Sequence, residues 1–568
     1  MHIWCEILPC LIGWNYREDL EITERPHWDT YEVSQSTNSL RAESSTNITW
    51  HQKKGTVKMA LTTDQYLEKI GSFGRYQILL LVFLNGLMFF WFAWPLTIVA
   101  FITAEPAWKC VSNSSVCPLE GTIRPGHDNY SFRCNISRNQ WEFVDDFTSV
   151  VTEFDLVCDR ALYGTIGSSM IFVGFFVGGI AVGPFSDKFG RKITMYLSGL
   201  IVSVFSLIAA FPHAFWLFAL FRSLIGFGLG GYSIAAYVLL IELVGIRHRS
   251  TAGCSIWYSF NLSNMALAGL AYLVRDWRKL SIIMGAPAIP FVLGWFFSPE
   301  SVRWLLVRGK TEEAEQVLRK VAKCNKKPVP EEPLQEYEKQ RLGDLRDLFK
   351  SRSIAHKTLV SWYCWFVNGM VYYGLSFSSP TVGGNMYLNF FITSTIALVA
   401  YPALAWSCNR FGRKKTICCG LFFSAVGAFG SVLLTSLDKD GQNTGILVGK
   451  IIFSLCIAKF FVVFAFEGFY VYSAELFPTV IRNIGMGTST SAARVGAILS
   501  SYIVYSKRVH PFLPFGIMGT NALIAALLCL TLPETRNQPT LETFEREDAN
   551  KKTKEMLVRE RMVEEDHL

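Results

Sequence analysis

Twelve apolar stretches, most of them near the length that crosses a bilayer as a helix, dominate this chain. They run approximately over residues 77–103, 162–185, 193–211, 215–240, 251–273, 279–298, 357–377, 386–407, 416–436, 446–472, 483–505 and 511–532. About 20 apolar residues span the hydrocarbon core as helix. In lipid every backbone N–H and C=O must be satisfied within the protein, which leaves helix as the form for segments of this kind. Charged residues make up only 18% of the 568 positions, against about 25% in soluble domains. The chain reads as an all-α, multi-pass membrane protein whose first partner is the lipid bilayer.

The formal net charge of +8 would suit a polyanion, but the placement of the charges gives a different account. Lys188, Arg191, Lys192, Arg247, Arg249, Lys414 and Lys415 all fall in connections on one alternating side of the spans. The positive-inside rule assigns those connections to the cytosol, and no nucleic-acid partner is needed. Of the 14 cysteines, Cys110, Cys117, Cys134 and Cys158 lie in one polar segment, 104–161, together with the sequons that begin at Asn113, Asn129 and Asn135. An even cysteine count beside glycosylation sequons implies an oxidising, extracellular loop with two disulfides, in one of three connectivities.

The second half of the chain repeats phrases of the first. Glu242 and Arg249 recur as Glu475 and Arg482, displaced by 233 positions; Pro299-Glu300-Ser301 recurs as Pro533-Glu534-Thr535, displaced by 234; FGRK recurs at 222. Two homologous six-helix halves account for all three pairs. Parallel repeats with a site between them near mid-membrane are a transporter architecture. The expected layout is a cytosolic tail over 1–76, a first bundle over 77–298 carrying the loop 104–161, a cytosolic linker over 299–356, a second bundle over 357–532 and a cytosolic tail over 533–568. Thr311 is expected to cap a linker helix whose first turn carries Glu312 and Glu313. Residues 1–58 do not resemble a signal peptide and read as a dispensable extension ahead of Met59.

The phrase GPFSDKFGRK (183–192) suits a tight turn between two helices. Gly183 is expected to admit a close neighbour, Gly190 to permit the turn, and Asp187 to pair with Arg191 as a latch. Its second copy has Ala405 and Asn409 at the matching places and reads as a simple anchor. In RSLIGFGLGG, Arg222 precedes Gly226, Gly228 and Gly230; an arginine inside a span costs about 2.5–3.5 kcal/mol on insertion scales, so Arg222 is expected to have a buried partner or a role in coupling.

These motifs, with SVVTEFDLVCDR (149–160), SPESVRWLLVRGKTEEA (298–314), WFVNGMVYYGLS (365–376) and YVYSAELFPTVIRNIGMG (470–487), resemble the organic cation, carnitine and organic anion transporters of the major facilitator superfamily, and among them the carnitine and invertebrate organic-cation members. The resemblance runs from about Met59 to about Leu541. It implies the major facilitator fold, twelve transmembrane helices in two six-helix repeats. It also implies an aromatic substrate pocket at Trp365, Tyr372 and Tyr373, with Glu467 and Arg494 as its charged members. Gly183, Asp187, Gly190, Arg191, Arg222, Glu242, Arg249, Glu300, Arg303, Glu475 and Arg482 become gating or structural positions. The chain departs from the family in a shorter first loop and in Ala397, which stands where an acidic residue is usual.

The expected function is secondary transport of small organic ions by alternating access at the plasma membrane, with sodium or a proton as coupling ion and with no cofactor, metal or catalytic step. Carnitine-like zwitterions fit Arg494 and Glu467 together. A sugar-type facilitator and a non-transporting receptor or channel on the same scaffold are the alternatives.

Overall fold

The computed structural model describes residues 60–111, 116–125, 127–286, 289–296, 298–335, 344–437 and 443–536. The extension 1–58, Asn113 and most of the C-terminal tail lie outside these residues. Among the described residues, α1 (Thr63–Lys69) is a short lead helix. The helices α2 (Arg75–Ile102), α3 (Ala161–Phe189), α4 (Arg191–Ile208) and α5 (Phe215–Glu242) follow, then α6 (Arg249–Leu273), α7 (Trp277–Gly285), α8 (Val302–Val307) and α9 (Thr311–Cys324). In the second half come α10 (Arg352–Ser378), α11 (Met386–Phe411), α12 (Arg413–Leu437), α13 (Thr444–Leu476), α14 (Thr479–Tyr505) and α15 (Leu513–Cys529).

Seven of the described helices are long and apolar enough to cross a membrane: α2, α3, α4, α5, α11, α12 and α13. Helix α15 is apolar but has 17 residues, and the sixth predicted span divides into α7 and a 3-10 segment over Pro290–Phe296. The remaining long helices, α6, α10 and α14, carry more polar side chains, and those side chains have a place to go. Asn261, Asn264, Asn368 and Ser489 are all buried.

The described chain forms two compact units. The first comprises the residues up to Leu80 together with Ile241–Arg249 and Leu293–Glu338. Helix α1 starts with a capping box, in which Thr62 Oγ1 accepts from Gln65 N–H at 3.3 Å and Gln65 Oε1 accepts from Thr62 N–H at 3.0 Å. Such reciprocal bonds satisfy two orphan donors of the first turn. Asn325, just past α9, ties the unit together: its amide donates to Ile70 O at 3.1 Å and Gln77 Oε1 at 3.0 Å, and accepts from Tyr76 N–H at 2.9 Å. Helix α9 buries Ala314, Leu318, Val321 and Ala322, one apolar stripe at helical spacing. The expected cap at Thr311 is not made. Thr311 is the first helical residue and Lys310 precedes it without a side-chain bond, so Glu312 and Glu313 alone favour this end through the helix dipole.

The second unit holds the rest. Within it, a β-carbon added at Gly226 would lie 2.0 Å from Ile171 O of α3, and one at Gly228 would lie 2.8 Å from Ser198 O of α4. Alternate glycines therefore let α5 touch two neighbours at backbone distance. Gly183 behaves otherwise, with nothing within 4 Å of an added β-carbon, so the expected close approach there is corrected. Gly190 (φ 105°) and Gly412 (φ 97°) occupy the same left-handed turn in the two repeats.

Segment 104–161 departs from the all-α expectation. Its strands β1 (Trp108–Cys110) and β2 (Trp141–Phe143) pair antiparallel, with Cys110 opposite Trp141. Of the three connectivities, the structure has Cys110–Cys117 and Cys134–Cys158. Arg133, 2% exposed, lies 4.0 Å from the centre of the Tyr130 ring, and Asn129 and Asn135 are exposed.

The glycines give a contrast that can be measured. At Gly412 an added β-carbon would also sit 2.6 Å from Glu534 Oε2, so Gly412→Ala carries both that clash and a backbone penalty of about 1–2 kcal/mol. Its thermal midpoint in detergent, followed by fluorescence-detected gel filtration, should fall by several degrees, whereas Gly183→Ala should match the parent chain. Equal midpoints for all three proteins would show that the turn does not need glycine.

Candidate functional site

A small cavity lies between side chains of both halves within the second unit. Thr97 of α2 and Asn261 and Asn264 of α6 face it from the first half. From the second half come Tyr372, Tyr373, Ser376 and Phe377 of α10, Phe390, Thr393 and Ser394 of α11, and Lys459 of α13. Two widened helical turns adjoin it. A π-helical segment over Phe89–Ala93 ends four residues before Thr97, and another over Ile452–Ala458 ends one residue before Lys459. Such turns occur often at functional sites because the extra residue redirects the side chains that follow.

Polar contacts fix the wall. The Thr97 hydroxyl lies 2.8 Å from Asn264 Oδ1, and the Asn261 amide donates to the Tyr401 hydroxyl at 2.7 Å, joining the halves. Lys459 is 2% exposed, donates to Ser376 Oγ at 2.6 Å and Tyr372 O at 3.1 Å, and places its ammonium 3.3 Å from the centre of the Tyr372 ring. Among the described residues no carboxylate pairs with it. The π face of Tyr372 is thus engaged by the protein's own cation.

Glu467 and Arg494 do not line this cavity. Both lie within electrostatic reach of the hydroxyls of Tyr373, which does, and of Tyr470. Arg494 stacks its guanidinium 3.9 Å from the centre of the Phe175 ring. Among the described residues neither Glu467 nor Arg494 takes part in an ion pair, with the other or with Lys459. An acidic and a basic side chain therefore stand near one tyrosine pair with no ion pair between them. Trp365 lies one layer back, fully buried, its indole N–H donating to Ser473 Oγ at 2.9 Å and its ring edge-on to Tyr470 at 4.4 Å. It supports Tyr470 instead of facing the cavity. Arg222, 3% exposed, donates to Pro95 O at 3.0 Å, while among the described residues it has no carboxylate partner and its Nε and Nη2 make no hydrogen bond. The buried partner found there is thus a backbone carbonyl.

The repeated charges form clusters. In the first unit, Arg249 and Arg303 both bind Asp64 of α1, the latter at 2.7 and 2.8 Å. Ser301 donates its hydroxyl to Glu242, and its N–H donates to Glu300 at 2.8 Å. The second half repeats that wiring: Thr535 donates to Glu475 at 2.6 Å and its N–H to Glu534 at 3.0 Å. There Arg413 pairs with Glu475 at 3.1 Å, and Glu534 accepts the Arg413 and Lys414 N–H groups at 2.9 and 3.2 Å. A carboxylate at a helix N-terminus is favoured by the free donors and the dipole. Asp187 and Arg191 pair at 3.0 Å within α3 and its turn, Asp187 being 72% exposed. Arg482 stands in the first turn of α14.

At the end that carries segment 104–161, Glu105 binds Arg133 at 3.2 Å and also Arg508, which follows α14. Burial opposes ionisation of Glu105, but the two guanidinium groups prevail and hold its carboxyl below the usual range. Beside them burial pushes Lys507 down to about 8. Phe101 stacks on Tyr387 at 5.7 Å and meets Phe390 edge-on at 5.0 Å, so rings from both halves close this end of the cavity.

Sequence reasoning missed Asp64, Asn261, Asn264 and Thr393. Asp64 carried a signal, since Arg249 and Arg303 required a carboxylate and the lead segment offers few. The asparagines were legible only as polarity inside α6.

The chain aligns with the xylose transporter XylE from E. coli, solved in an inward-open conformation, at a TM-score of 0.55 over 82% of this chain and 97% of that one, with 15% identity. A crystal structure of a D-xylose-proton symporter gives 0.56 over 82% and 99%, with 17% identity. The chain has the major facilitator fold of membrane transporters. A family model described as "Sugar (and other) transporter" matches residues 127–547. The "Organic cation transporter protein" of Drosophila melanogaster is 34% identical over 441 residues, covering 75% of this chain and 78% of that protein. The "Organic cation/carnitine transporter 2" of Homo sapiens is 35% identical over 418 residues, covering 71% and 73%. The chain belongs to the organic cation and carnitine transporter family of the major facilitator superfamily, and it is a multi-pass secondary transporter.

Lys507 supplies a pH test. Between about 8 and the ordinary lysine value of 10.5 the folded chain has released a proton that the unfolded chain keeps, so stability rises with pH across that window, and below it the destabilisation by this group is constant. Thermal midpoints measured from pH 7 to 10 should show the rise in the parent chain and lose it in Lys507→Met. An identical profile in both proteins would remove Lys507 as its source.

Proposed function

We propose that the transporter moves small carboxylate-bearing organic ions, with carnitine-like zwitterions as the preferred class, across the plasma membrane. The observation that carries this reading is the pair Arg494 and Glu467, a base and an acid set near the same tyrosines and, among the described residues, joined by no ion pair. A zwitterion is the solute that answers both. Its carboxylate meets Arg494 through a bidentate fork that lysine reproduces poorly, and Lys459 adds positive potential in the cavity itself. Its ammonium head meets Glu467 and the faces of Tyr373 and Tyr470. The engagement of Tyr372 by Lys459 and the absence of a carboxylate at Ala397 weigh against a purely cationic solute. The name of the human relative includes carnitine, in keeping with this choice. The clusters at Asp64, Asp187 and Glu475 serve as contacts that part and re-form during alternating access.

Uptake by expressing cells tests the substrate, using labelled carnitine and labelled tetraethylammonium with and without sodium. Arg494→Lys should lower carnitine uptake by about tenfold, the loss of roughly 1.4 kcal/mol from one fork, and leave tetraethylammonium nearly unchanged. Glu467→Gln should reduce both substrates. Good accumulation of tetraethylammonium, none of carnitine, and tolerance of Arg494→Lys would establish an organic-cation carrier instead.

The same reading puts segment 104–161 outside the cell. Asn129 and Asn135, both exposed, are proposed to carry N-glycans together with Asn113. Glycosidase treatment should sharpen the band on a gel, and the triple Asn→Gln variant should run at the sharpened position untreated. An unchanged band would place the segment on the other side.

A further inference from the structure

We infer that the seam between α10 and α15 is a binding site for one anionic phospholipid of the cytosolic leaflet, with its phosphate held at Arg352 and His356. The inference is independent of which solute is carried. Two contacts fix the seam. His356, near the start of α10, lies 3.2 Å from the Thr531 hydroxyl just past α15, and the Tyr363 hydroxyl donates to Asn521 Oδ1 at 3.0 Å. The two helices therefore run antiparallel here, and the stretch of α10 from His356 to Tyr363 rises about 10 Å. Between the two contacts Leu359 of α10 is 54% exposed and Leu527 of α15 is 58% exposed, with Ile524 also exposed beside them. Arg352, His356, Leu359 and Tyr363 recur at helical spacing on one stripe of α10. The seam thus passes from a guanidinium to a polar contact and then to an apolar trough, the order in which a phospholipid presents its phosphate, its glycerol esters and its acyl chains.

Leu359 and Leu527 belong to apolar stretches of bilayer length, so the trough lies in the membrane and its occupant comes from the bilayer. Charge selects the headgroup. Residues 344–357 carry four basic side chains, Arg346, Lys350, Arg352 and Lys357, against the two acids Asp344 and Asp347. Both acids are turned onto backbone donors of the 3-10 turn Leu345–Phe349: Asp347 Oδ2 accepts the Asp344 N–H at 2.8 Å, and Asp344 Oδ1 accepts the Leu345 N–H at 2.7 Å. Arg346 and Arg352 are exposed, and among the described residues neither forms an ion pair. Leu345 and Phe349 of the same turn are exposed beside them. Apolar side chains set among basic ones, where the positive-inside rule puts the cytosol, suit an anionic leaflet. A guanidinium binds phosphate oxygens at two points, which makes Arg352 the anchor of the headgroup.

Native mass spectrometry of the full chain, released from nanodiscs of mixed phosphatidylserine and phosphatidylcholine, tests this by the share of protein that keeps each lipid. One phosphatidylserine should be retained in preference to phosphatidylcholine. Arg352→Gln should lower that preference about fivefold, the effect of one basic residue at an anionic surface, and adding His356→Gln should lower it further. Arg247→Gln removes a charge that is 83% exposed elsewhere and should leave the preference intact. Soluble glycerophosphoserine, which has the phosphate but no chains, should not displace the lipid. Leu527→Asn makes the trough polar and should also reduce retention; it decides alone if Arg352→Gln does not fold, as read from its thermal midpoint in phosphatidylcholine. Equal retention of the two lipids, an equal loss in Arg247→Gln and Arg352→Gln, or displacement by glycerophosphoserine would each overturn the proposal. So would a second copy of the chain found in place of the lipid and lost with Leu527→Asn, which would assign the seam to a dimer contact.

Discussion

A charge removed from water must find a counter-charge, a dipole or an aromatic face, and this requirement organises the protein. Several arginines and carboxylates at the repeated turns meet it with ion pairs and backbone donors. Asp64 receives two guanidinium groups, and Glu534 receives two backbone N–H groups at the start of α12. In mid-bundle the requirement is met with weaker partners. Lys459 rests on a tyrosine ring and two oxygens, Arg494 rests on a phenylalanine ring, and Arg222 on one carbonyl. Helices built from apolar residues tolerate such placements because the glycines of α5 and the polar stripes of α6, α10 and α14 bring dipoles close. The difference between complete and partial neutralisation separates the parts that hold the bundle from the part that can receive an ion.

Duplication set this pattern and divergence adjusted it. The hydroxyl following each proline-glutamate pair reaches the same carboxylate in both repeats, Ser301 to Glu242 and Thr535 to Glu475. Gly190 and Gly412 keep the same turn. The acidic partner inside the turn survives only as Asp187, where it holds Arg191, while Arg413, with Asn409 beside its turn, pairs with Glu475.

The sequence was most legible where one residue type has one physical use. Apolar runs of bilayer length gave the helices, paired offsets gave the repeats, and a glycine between aromatic and basic residues gave the left-handed turn. It was less legible where a role depends on what lies opposite. Trp365 belongs to an aromatic stripe whose periodicity cannot distinguish a wall residue from the layer behind it. Gly183 resembles a packing glycine, yet no neighbour arrives. The pairing of Cys110 with Cys117 accompanies the return of the chain at the isolated Trp108–Ile123 bridge, too short for its alternation to register. Tyr372 was expected to serve the solute, and only the fold could reveal that Lys459, 87 positions further along the chain in α13, already covers its face.

The bridge between Cys134 and Cys158 ends three residues before α3 begins. The ribbon-bearing segment is therefore rooted at the end of α2 by its chain and at the head of α3 by a covalent tie, while Arg508 holds it from the far side by charge alone. One attachment is permanent and the other reversible. Mechanically the segment is riveted to the first helices and buttoned to the residues after α14 by a contact that salt or a change of pH can undo.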